Sequence, residues 1–171
     1  MPDASSDDWT IGRLIEWTRG YFARQGIEQP RLEAEILLAH VLGLERIALY
    51  MTYEQTVGED ERAVFRDLVR RRAAGEPSRY LVGTTEFMGL AMKVTSDVLI
   101  PRPETEQLAE EVIRRVGAAA PPLPMGAEAD DADAAAPARV DVIELGTGSG
   151  ALAVSLAAHL PEARVTATDV S

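Results

Sequence analysis

The part of the chain best suited to chemistry is a short loop with three glycines at alternate positions. The three are Gly146, Gly148 and Gly150. They follow a β-rich run at 140–145, and such glycines let a strand end in a tight turn and let backbone approach a ligand. Asp169 ends the next predicted strand, where a carboxylate can accept hydrogen bonds from both hydroxyls of an adenosine ribose. The pattern therefore predicts a site for a nucleotide-type cofactor.

An acidic residue two positions before the first glycine bears on which cofactor is bound. The pattern Glu-x-Gly-x-Gly-x-Gly, beginning at Glu144, is typical of S-adenosylmethionine methyltransferases. A carboxylate there suits a cationic sulfonium and ammonium better than a pyrophosphate. A looser dinucleotide fingerprint ending at Ala151 also fits, so a dehydrogenase remains an alternative. The candidate cofactor-binding residues are Glu144, Gly146, Thr147, Gly148, Ser149, Gly150 and Asp169.

Composition excludes several other kinds of site. The chain has no cysteine, which removes disulfides, thiolate metal sites and a cysteine nucleophile. Its two histidines, His40 and His159, are too far apart in sequence to suggest a metal site. The net charge of −11 disfavours binding along nucleic acid, and we expect no membrane contact. The polar, acidic N-terminus is neither a signal peptide nor an anchor, which favours the cytoplasm.

The first 75 residues have helical periodicity. Apolar residues recur at a spacing of three and four over 10–25 and 30–42, and each stretch ends at a glycine. A short segment at 44–51 and a stretch that begins with acids at 59–61 continue the pattern. We predict a helical bundle over residues 1–75.

Residues 76–100 have a different pattern that predicts a β-hairpin. The strands are expected at 80–87 and 90–94, around a turn at Met88–Gly89. The following Pro101–Arg102–Pro103 is predicted to be extended, because a residue that precedes a proline is restricted to extended geometry. A helix is expected to follow over 104–116.

The remainder, 101–171, is predicted to begin an α/β domain. Residues 117–139 are rich in Ala, Pro and Asp and read as a flexible insertion, with a marginal helix at 127–136 as the alternative. A strand, the glycine loop, a helix and a second strand at 164–169 then form a β-α-β unit with parallel strands and a right-handed crossover. The predicted fold class is α plus α/β, with the first β-α-β unit of an incomplete Rossmann-like domain.

Some residues with chemical potential have a simpler interpretation. Trp9 and Trp17 are predicted to pack in the core or near the N-terminus rather than to form a stacking surface. The arginines at 70–72 are predicted to complement a helix C-terminus, with docking of an acidic partner as the alternative. Thr105 is predicted to cap a helix whose first turn contains the neighbouring acids.

Over nearly its whole length the chain resembles the release-factor glutamine methyltransferases. The resemblance lies in residues 72–83, in Glu86–Phe87 and above all in Leu99–Glu106, with the sequence Leu-Ile-Pro-Arg-Pro-Glu-Thr-Glu. It implies a helical substrate-recognition domain, a hairpin hinge at 76–100 and an S-adenosylmethionine domain. It also implies methylation of the glutamine amide nitrogen in the Gly-Gly-Gln motif of peptide chain release factors, which would be the partners. By resemblance, Phe87, Pro101, Arg102 and Pro103 are candidate substrate-pocket residues.

The family's catalytic motif, Asn-Pro-Pro-Tyr, has no counterpart because the chain contains no asparagine. That motif holds the amide nitrogen for attack, so its absence removes the positioning of the substrate. We therefore assign no catalytic residue and expect a chain truncated before the motif. Such a chain should lack methyltransferase activity, bind S-adenosylmethionine weakly or not at all, and be loosely packed over 140–171. An adenine N6-methyltransferase of nucleic acid and a non-catalytic release-factor-binding module remain the alternatives.

Overall fold

A computed structural model of the chain describes residues 9–119 and 140–170. These residues form two compact units, one ending at Gly83 and the other beginning at Thr84. The first is helical, and the second combines helices with two small sheets. Within the described ranges, no helix has the length and hydropathy needed to cross a membrane.

The described part of the helical unit, residues 9–83, contains five helices. They are α1 (Ile11–Arg24), α2 (Pro30–Leu42), α3 (Arg46–Met51), α4 (Glu59–Ala73) and α5 (Ser78–Val82). Thr10 begins α1 by accepting a hydrogen bond from the Arg13 N–H at 3.2 Å. Pro30 is the first residue of α2 and Gly43 caps its end, as the sequence predicted. The mainly helical N-terminal region is confirmed.

Apolar residues from all five helices form the core of this unit. Its largest fully buried side chains include Phe22, Ile11, Ile15, Leu37, Leu38 and Leu49. Trp9 packs against this core. Trp17 is instead 52% exposed, so the core position, one of the two predicted for it, is wrong. The buried face of α1 contains its neighbours Leu14, Ile15 and Thr18, which turns position 17 outward.

The carboxylate of Glu35 is buried where α2 meets α3. Its side chain is 2% exposed and accepts hydrogen bonds from Arg31 at 2.9 Å, from Arg46 at 3.0 Å and from the Tyr50 hydroxyl. Burial alone would raise the pKa of Glu35, but these three donors outweigh burial and hold it below its ordinary value. The carboxylate is therefore charged in the folded protein and ties α3 to α2.

A second acidic residue of α2 binds the other helices. Glu33 accepts a hydrogen bond from Arg72 at 2.6 Å and another from the Ser78 hydroxyl at 3.3 Å. Arg72 thus belongs to a contact between α4 and α2 as well as to the last turn of α4. These bonds tie α4 and α5 to the same helix that holds α3.

In the described residues of the second unit, 84–119 and 140–170, there are two helices and two pairs of strands. They are β1 (Thr84–Phe87), β2 (Leu90–Lys93), α6 (Pro103–Ala119), β3 (Asp141–Leu145), α7 (Ala151–His159) and β4 (Arg164–Thr168). β1 and β2 are antiparallel, whereas β3 and β4 are parallel, as predicted. Ala109, Leu156 and Leu160 form the buried centre of a cluster between α6, α7 and one face of the parallel pair. Most of the predicted insertion at 117–139 lies outside the described residues.

Two predictions at element boundaries are wrong. The first hairpin strand begins at Thr84 rather than at residue 80, because residues 78–82 form α5 and bury Leu81 in the helical core. Gly83 ends α5 with φ +77°, which frees the chain to enter the strand.

The predicted boundary before α6 is also corrected. Pro103 is the first residue of α6, and Thr105 lies inside the helix rather than at its cap. The restriction before a proline applies to Ile100 and Arg102 but not to Pro103, and proline itself suits the first helical position because it needs no N–H partner there.

Glu35→Gln is expected to destabilise the helical unit by about 2 kcal/mol near neutral pH, because two arginines lose an ionised acceptor. The pKa of Glu35 is lower in the folded protein than its ordinary value. Its contribution is therefore complete above the unfolded pKa and is lost as pH falls through the folded pKa. Urea unfolding followed by the fluorescence of Trp9 and Trp17, both in this unit, measures the loss.

Glu16→Gln is the matched control. Glu16 also pairs with Arg31, at 3.0 Å, but its side chain is 40% exposed. We expect the Glu16→Gln substitution to lower the free energy of unfolding by less than about 1 kcal/mol. Equal losses in the two variants, or a Glu35→Gln effect of the same size in acid, would contradict the assignment.

Candidate functional site

The glycine loop is held against the end of the neighbouring parallel strand. β3 and β4 pair so that Leu145 lies opposite Thr168. The next two N–H groups, of Gly146 and Thr147, both donate to the Thr168 carbonyl, at 2.8 and 3.0 Å. The loop therefore starts from a fixed position at the carboxyl edge of the strand pair.

Gly148 and Asp169 meet at this edge. The Gly148 N–H donates to Asp169 Oδ2 at 2.7 Å, and the Val170 N–H donates to Oδ1 at 2.7 Å. Gly148 has φ +54°, where a side chain is strained, and no atom beyond its chain neighbours lies within 4 Å of the place a Cβ would take. Among the described residues, the loop leaves open space beside a carboxylate of fixed orientation.

Glu144 lies at the same end of β3. Its carboxylate accepts a hydrogen bond from the Thr147 hydroxyl at 2.9 Å, and its carbonyl accepts one from Thr168 Oγ1 at 3.3 Å. Two carboxylates, those of Glu144 and Asp169, are thus bonded to successive residues of one loop. This arrangement suits a ligand with a cationic group near one carboxylate and hydroxyls near the other.

Ser149 and Gly150 complete the loop and lead into α7. The Gly150 N–H donates to the Thr147 carbonyl at 2.9 Å, so the loop turns back on itself before the helix begins. The structure therefore brings together all seven predicted cofactor-binding residues. Their contacts with a ligand stay a prediction.

The outer face of the parallel pair is exposed and combines the apolar Ile143 and Leu145 of β3 with Thr166 and Thr168 of β4. Val142 and Val165 pack toward α6 and α7, whereas Ile143 is 70% exposed and Leu145 is 81% exposed. Successive residues of a strand point to opposite faces, so the described helices cover only one side of the pair. The loose packing expected over 140–171 stays a prediction.

Comparisons with known proteins match both units of the chain. Residues 13–83 fit the family model described as the PrmC N-terminal domain. The release factor glutamine methyltransferase of Rhodopirellula baltica is 44% identical over 172 residues, which cover 100% of this chain and 53% of that protein. The protein of the same name from Geobacter sulfurreducens is 42% identical over 163 residues, or 95% of this chain and 50% of that protein.

The chain is thus similar over its whole length to release factor glutamine methyltransferases, and its helical unit matches the family model. It spans about half the length of the curated relatives it matches. The alignment with the Rhodopirellula protein covers the whole chain and therefore includes both the helical unit and the glycine loop.

The hairpin packs against the helix that follows the glycine loop. Phe87, at the end of β1, is 1% exposed and belongs to a cluster with Met92 and Ala151. Ala151 is the first residue of α7, directly after Gly150. The candidate substrate-pocket residue Phe87 is therefore buried behind the loop, where it can shape the site through Ala151.

Glu106 fixes the turn of this hairpin. Met88 has φ +51°, which strains a residue other than glycine, and its N–H donates to the Glu106 carboxylate at 2.8 Å. Sequence analysis placed Glu106 only in the first turn of α6 and missed this contact. The tight turn predicted at Met88–Gly89 was the signal that could have revealed this contact. A partly buried N–H in such a turn needs a hydrogen-bond acceptor.

The other candidate substrate-pocket residues lie at the start of α6, with Pro101 and Arg102 before it and Pro103 as its first residue. Arg102 is exposed, and its carbonyl accepts a hydrogen bond from the Thr105 N–H at 2.9 Å. Pro101 and Pro103 belong to neither hydrophobic cluster of this unit. Glu106, within the first turn that follows, connects the segment to the hairpin.

Glu106→Ala is expected to raise the hydrogen-exchange rate of the Met88 amide about tenfold or more, because a charge-assisted hydrogen bond contributes roughly 1.5–3 kcal/mol. Glu106→Gln keeps an oxygen acceptor and should raise the rate less. Amide exchange followed by nuclear magnetic resonance measures both.

The control for this experiment is Glu104→Ala, which removes an exposed acid from the same helical turn. It should leave the Met88 rate unchanged. Three equal exchange rates would show that Glu106 does not hold the turn.

Proposed function

We propose that this chain supplies the cofactor loop and the substrate-recognition helices of a protein-glutamine methyltransferase. The reaction transfers a methyl group from S-adenosylmethionine to the side-chain amide nitrogen of glutamine in the Gly-Gly-Gln motif of peptide chain release factors. The observation that carries the proposal is the loop joining Glu144 to Asp169, in a chain 44% identical to a protein named for this activity. A substrate of this kind would place the activity in the cytoplasm.

The loop residues fit the chemistry of the cofactor. Open space beside Gly148 allows close approach of a ligand to the backbone. The Asp169 carboxylate can accept hydrogen bonds from ribose hydroxyls, and the Glu144 carboxylate attracts the cationic methionine end. S-adenosylmethionine, when bound, supplies an electrophilic methyl group on a sulfonium.

The protein's remaining task is to position the substrate. An amide nitrogen is a weak nucleophile because its lone pair is delocalised into the carbonyl, so orientation contributes much of the rate. We propose that Pro101, Arg102 and Pro103 form part of the wall that receives the glutamine, and that Phe87 supports this site from behind the loop through Ala151. No residue of this chain is assigned to hold the amide, since there is no asparagine for the family's motif.

We propose a three-part organisation for this function. Residues 1–75 would recognise the substrate protein, 76–100 would act as a hinge, and 101–171 would begin a Rossmann-like cofactor domain. The parallel strands with the intervening α7 support the last assignment.

These 171 residues alone are expected to bind S-adenosylmethionine weakly or not at all, because the described site offers only Glu144, Asp169 and the loop between them. A chimera that continues this chain with the second half of the Rhodopirellula relative should bind it. Asp169→Asn in the chimera should weaken binding about tenfold or more, since hydrogen bonds to a charged acceptor are lost. Titration calorimetry measures the affinity of the 171-residue chain, of the chimera and of its Asp169→Asn variant for S-adenosylmethionine.

The matched control is Asp141→Asn. Asp141 is the exposed acid at the start of β3, where it pairs with Arg164 at 2.8 Å, and its loss should leave the affinity unchanged. Low-micromolar binding by the 171 residues alone would contradict the expected weakness. Equal effects of the two substitutions would contradict the role of Asp169.

Methyl transfer is tested by incubating the chimera with labelled S-adenosylmethionine and a release factor. Mass spectrometry should find the methyl group on the glutamine of the Gly-Gly-Gln motif. Label in DNA instead would favour the adenine methyltransferase alternative. Binding of the release factor with no transfer would favour a non-catalytic module.

A further inference from the structure

The helical unit contains a cavity that plays no part in the proposed chemistry. It has a volume of about 450 Å³ and lies between α1 and α4. Cavities of this size hold small ligands in other proteins. All of its lining residues belong to the helical unit, away from the glycine loop in sequence.

One wall of the cavity is aromatic. Trp17 and Tyr21 stack with ring centroids 5.5 Å apart and planes inclined by 18°, and Trp9 lies nearby in the lining. Trp17 is 52% exposed, so the stack is not closed into the core. A planar ring can lie against such a surface.

The opposite wall is positively charged. Arg62, Arg66 and Arg70 are four residues apart along α4 and therefore share a face. Glu59 pairs with Arg62 and, at 3.8 Å, with Arg66, but none of the residues lining the cavity is acidic. Three arginines on one wall are notable in a chain with a net charge of −11.

Two polar atoms of the lining lack a partner within the described residues. The hydroxyl of Thr18, a residue with 0% exposure, and Nε of Arg62 are both buried without a hydrogen bond. Buried polar atoms nearly always have a partner, and an unpaired one costs free energy. Both atoms belong to residues that line the same cavity, where an acceptor on a ligand could pair with them.

We propose that this cavity binds a small planar aromatic anion, with one or two fused rings and a carboxylate or phosphate. The rings lie against Trp17 and Tyr21, while the anion is attracted by Arg66 and Arg70 and accepts from Arg62 and Thr18. A small molecule is favoured over a protein surface because the cavity volume of about 450 Å³ lies in the range of small-ligand pockets. This site is independent of the proposed methyl transfer.

The test uses naphthalene-2-carboxylate and its neutral carboxamide as probes of the 171-residue chain. Both tryptophans of the chain, Trp9 and Trp17, line the cavity, so both indole N–H signals in a nitrogen-15 spectrum report on it. The carboxylate should shift both signals saturably and bind about tenfold more tightly than the carboxamide, as expected for charge-assisted bonds. Calorimetry supplies the affinities without any methyl-transfer reaction.

Two substitutions with matched controls locate the site. Thr18→Val should weaken binding several-fold while leaving the melting temperature equal or higher, because it removes an unpaired buried hydroxyl. Ser155→Ala removes another buried unpaired hydroxyl, in α7, and should not change the affinity. Arg70→Gln should weaken binding about tenfold, whereas Arg24→Gln, an exposed charge on α1, should not.

Three outcomes would overturn the proposal. The first is the absence of a saturable shift of the indole signals up to millimolar carboxylate. The second is equal affinity for carboxylate and carboxamide, which would mean that the arginines do not select an anion. The third is shifts produced by an acidic aromatic peptide but by neither naphthalene probe, which would make the cavity a protein-docking groove.

Discussion

Backbone hydrogen bonds at one carboxyl edge govern the geometry of the candidate cofactor site. The Thr168 carbonyl accepts from both Gly146 and Thr147, and the Asp169 carboxylate accepts from Gly148. Because a parallel pair brings the ends of both strands to one edge, residues distant in sequence meet there without a long side chain. The orientations of Asp169 and of the loop are thereby coupled, and a displacement of β4 would disturb both.

Burial of charge imposes a comparable constraint on the helical unit. An ionised carboxylate in a protein interior is unfavourable unless donors surround it. Glu35 has three donors from its own helix and from α3, and Glu33 has donors from α4 and from Ser78 of α5. Both acids belong to α2, so this one helix orients its neighbours through directional bonds as well as through apolar packing. The arginines facing the α1–α4 cavity belong to the same α4 that Arg72 fixes to α2.

Periodicity and capping chemistry predicted the helices of the first unit and the order of strand, glycine loop, helix and strand in the second. These features depend on residues close in sequence, such as Thr10 at the start of α1 and Gly43 at the end of α2. The failures depend on contacts made at longer range. Residues 80–82 have strand-forming side chains, yet burial of Leu81 in the helical core favours α5. The Glu106 contact with Met88 joins elements 18 residues apart, which local patterns do not reveal.

The strained turn of the hairpin at Met88 is linked through packing contacts to the start of α7. Met88 accepts an unfavourable backbone conformation, and its N–H is held by Glu106 at the start of α6. That bond keeps Phe87 in the cluster with Ala151, the residue at which the glycine loop becomes α7. The geometry of the loop against its strands depends on the position of α7, which the chain enters at Ala151. Packing of the hairpin against Ala151, the first residue of α7, restrains movement of this helix. The hairpin turn and the glycine loop are therefore structurally connected.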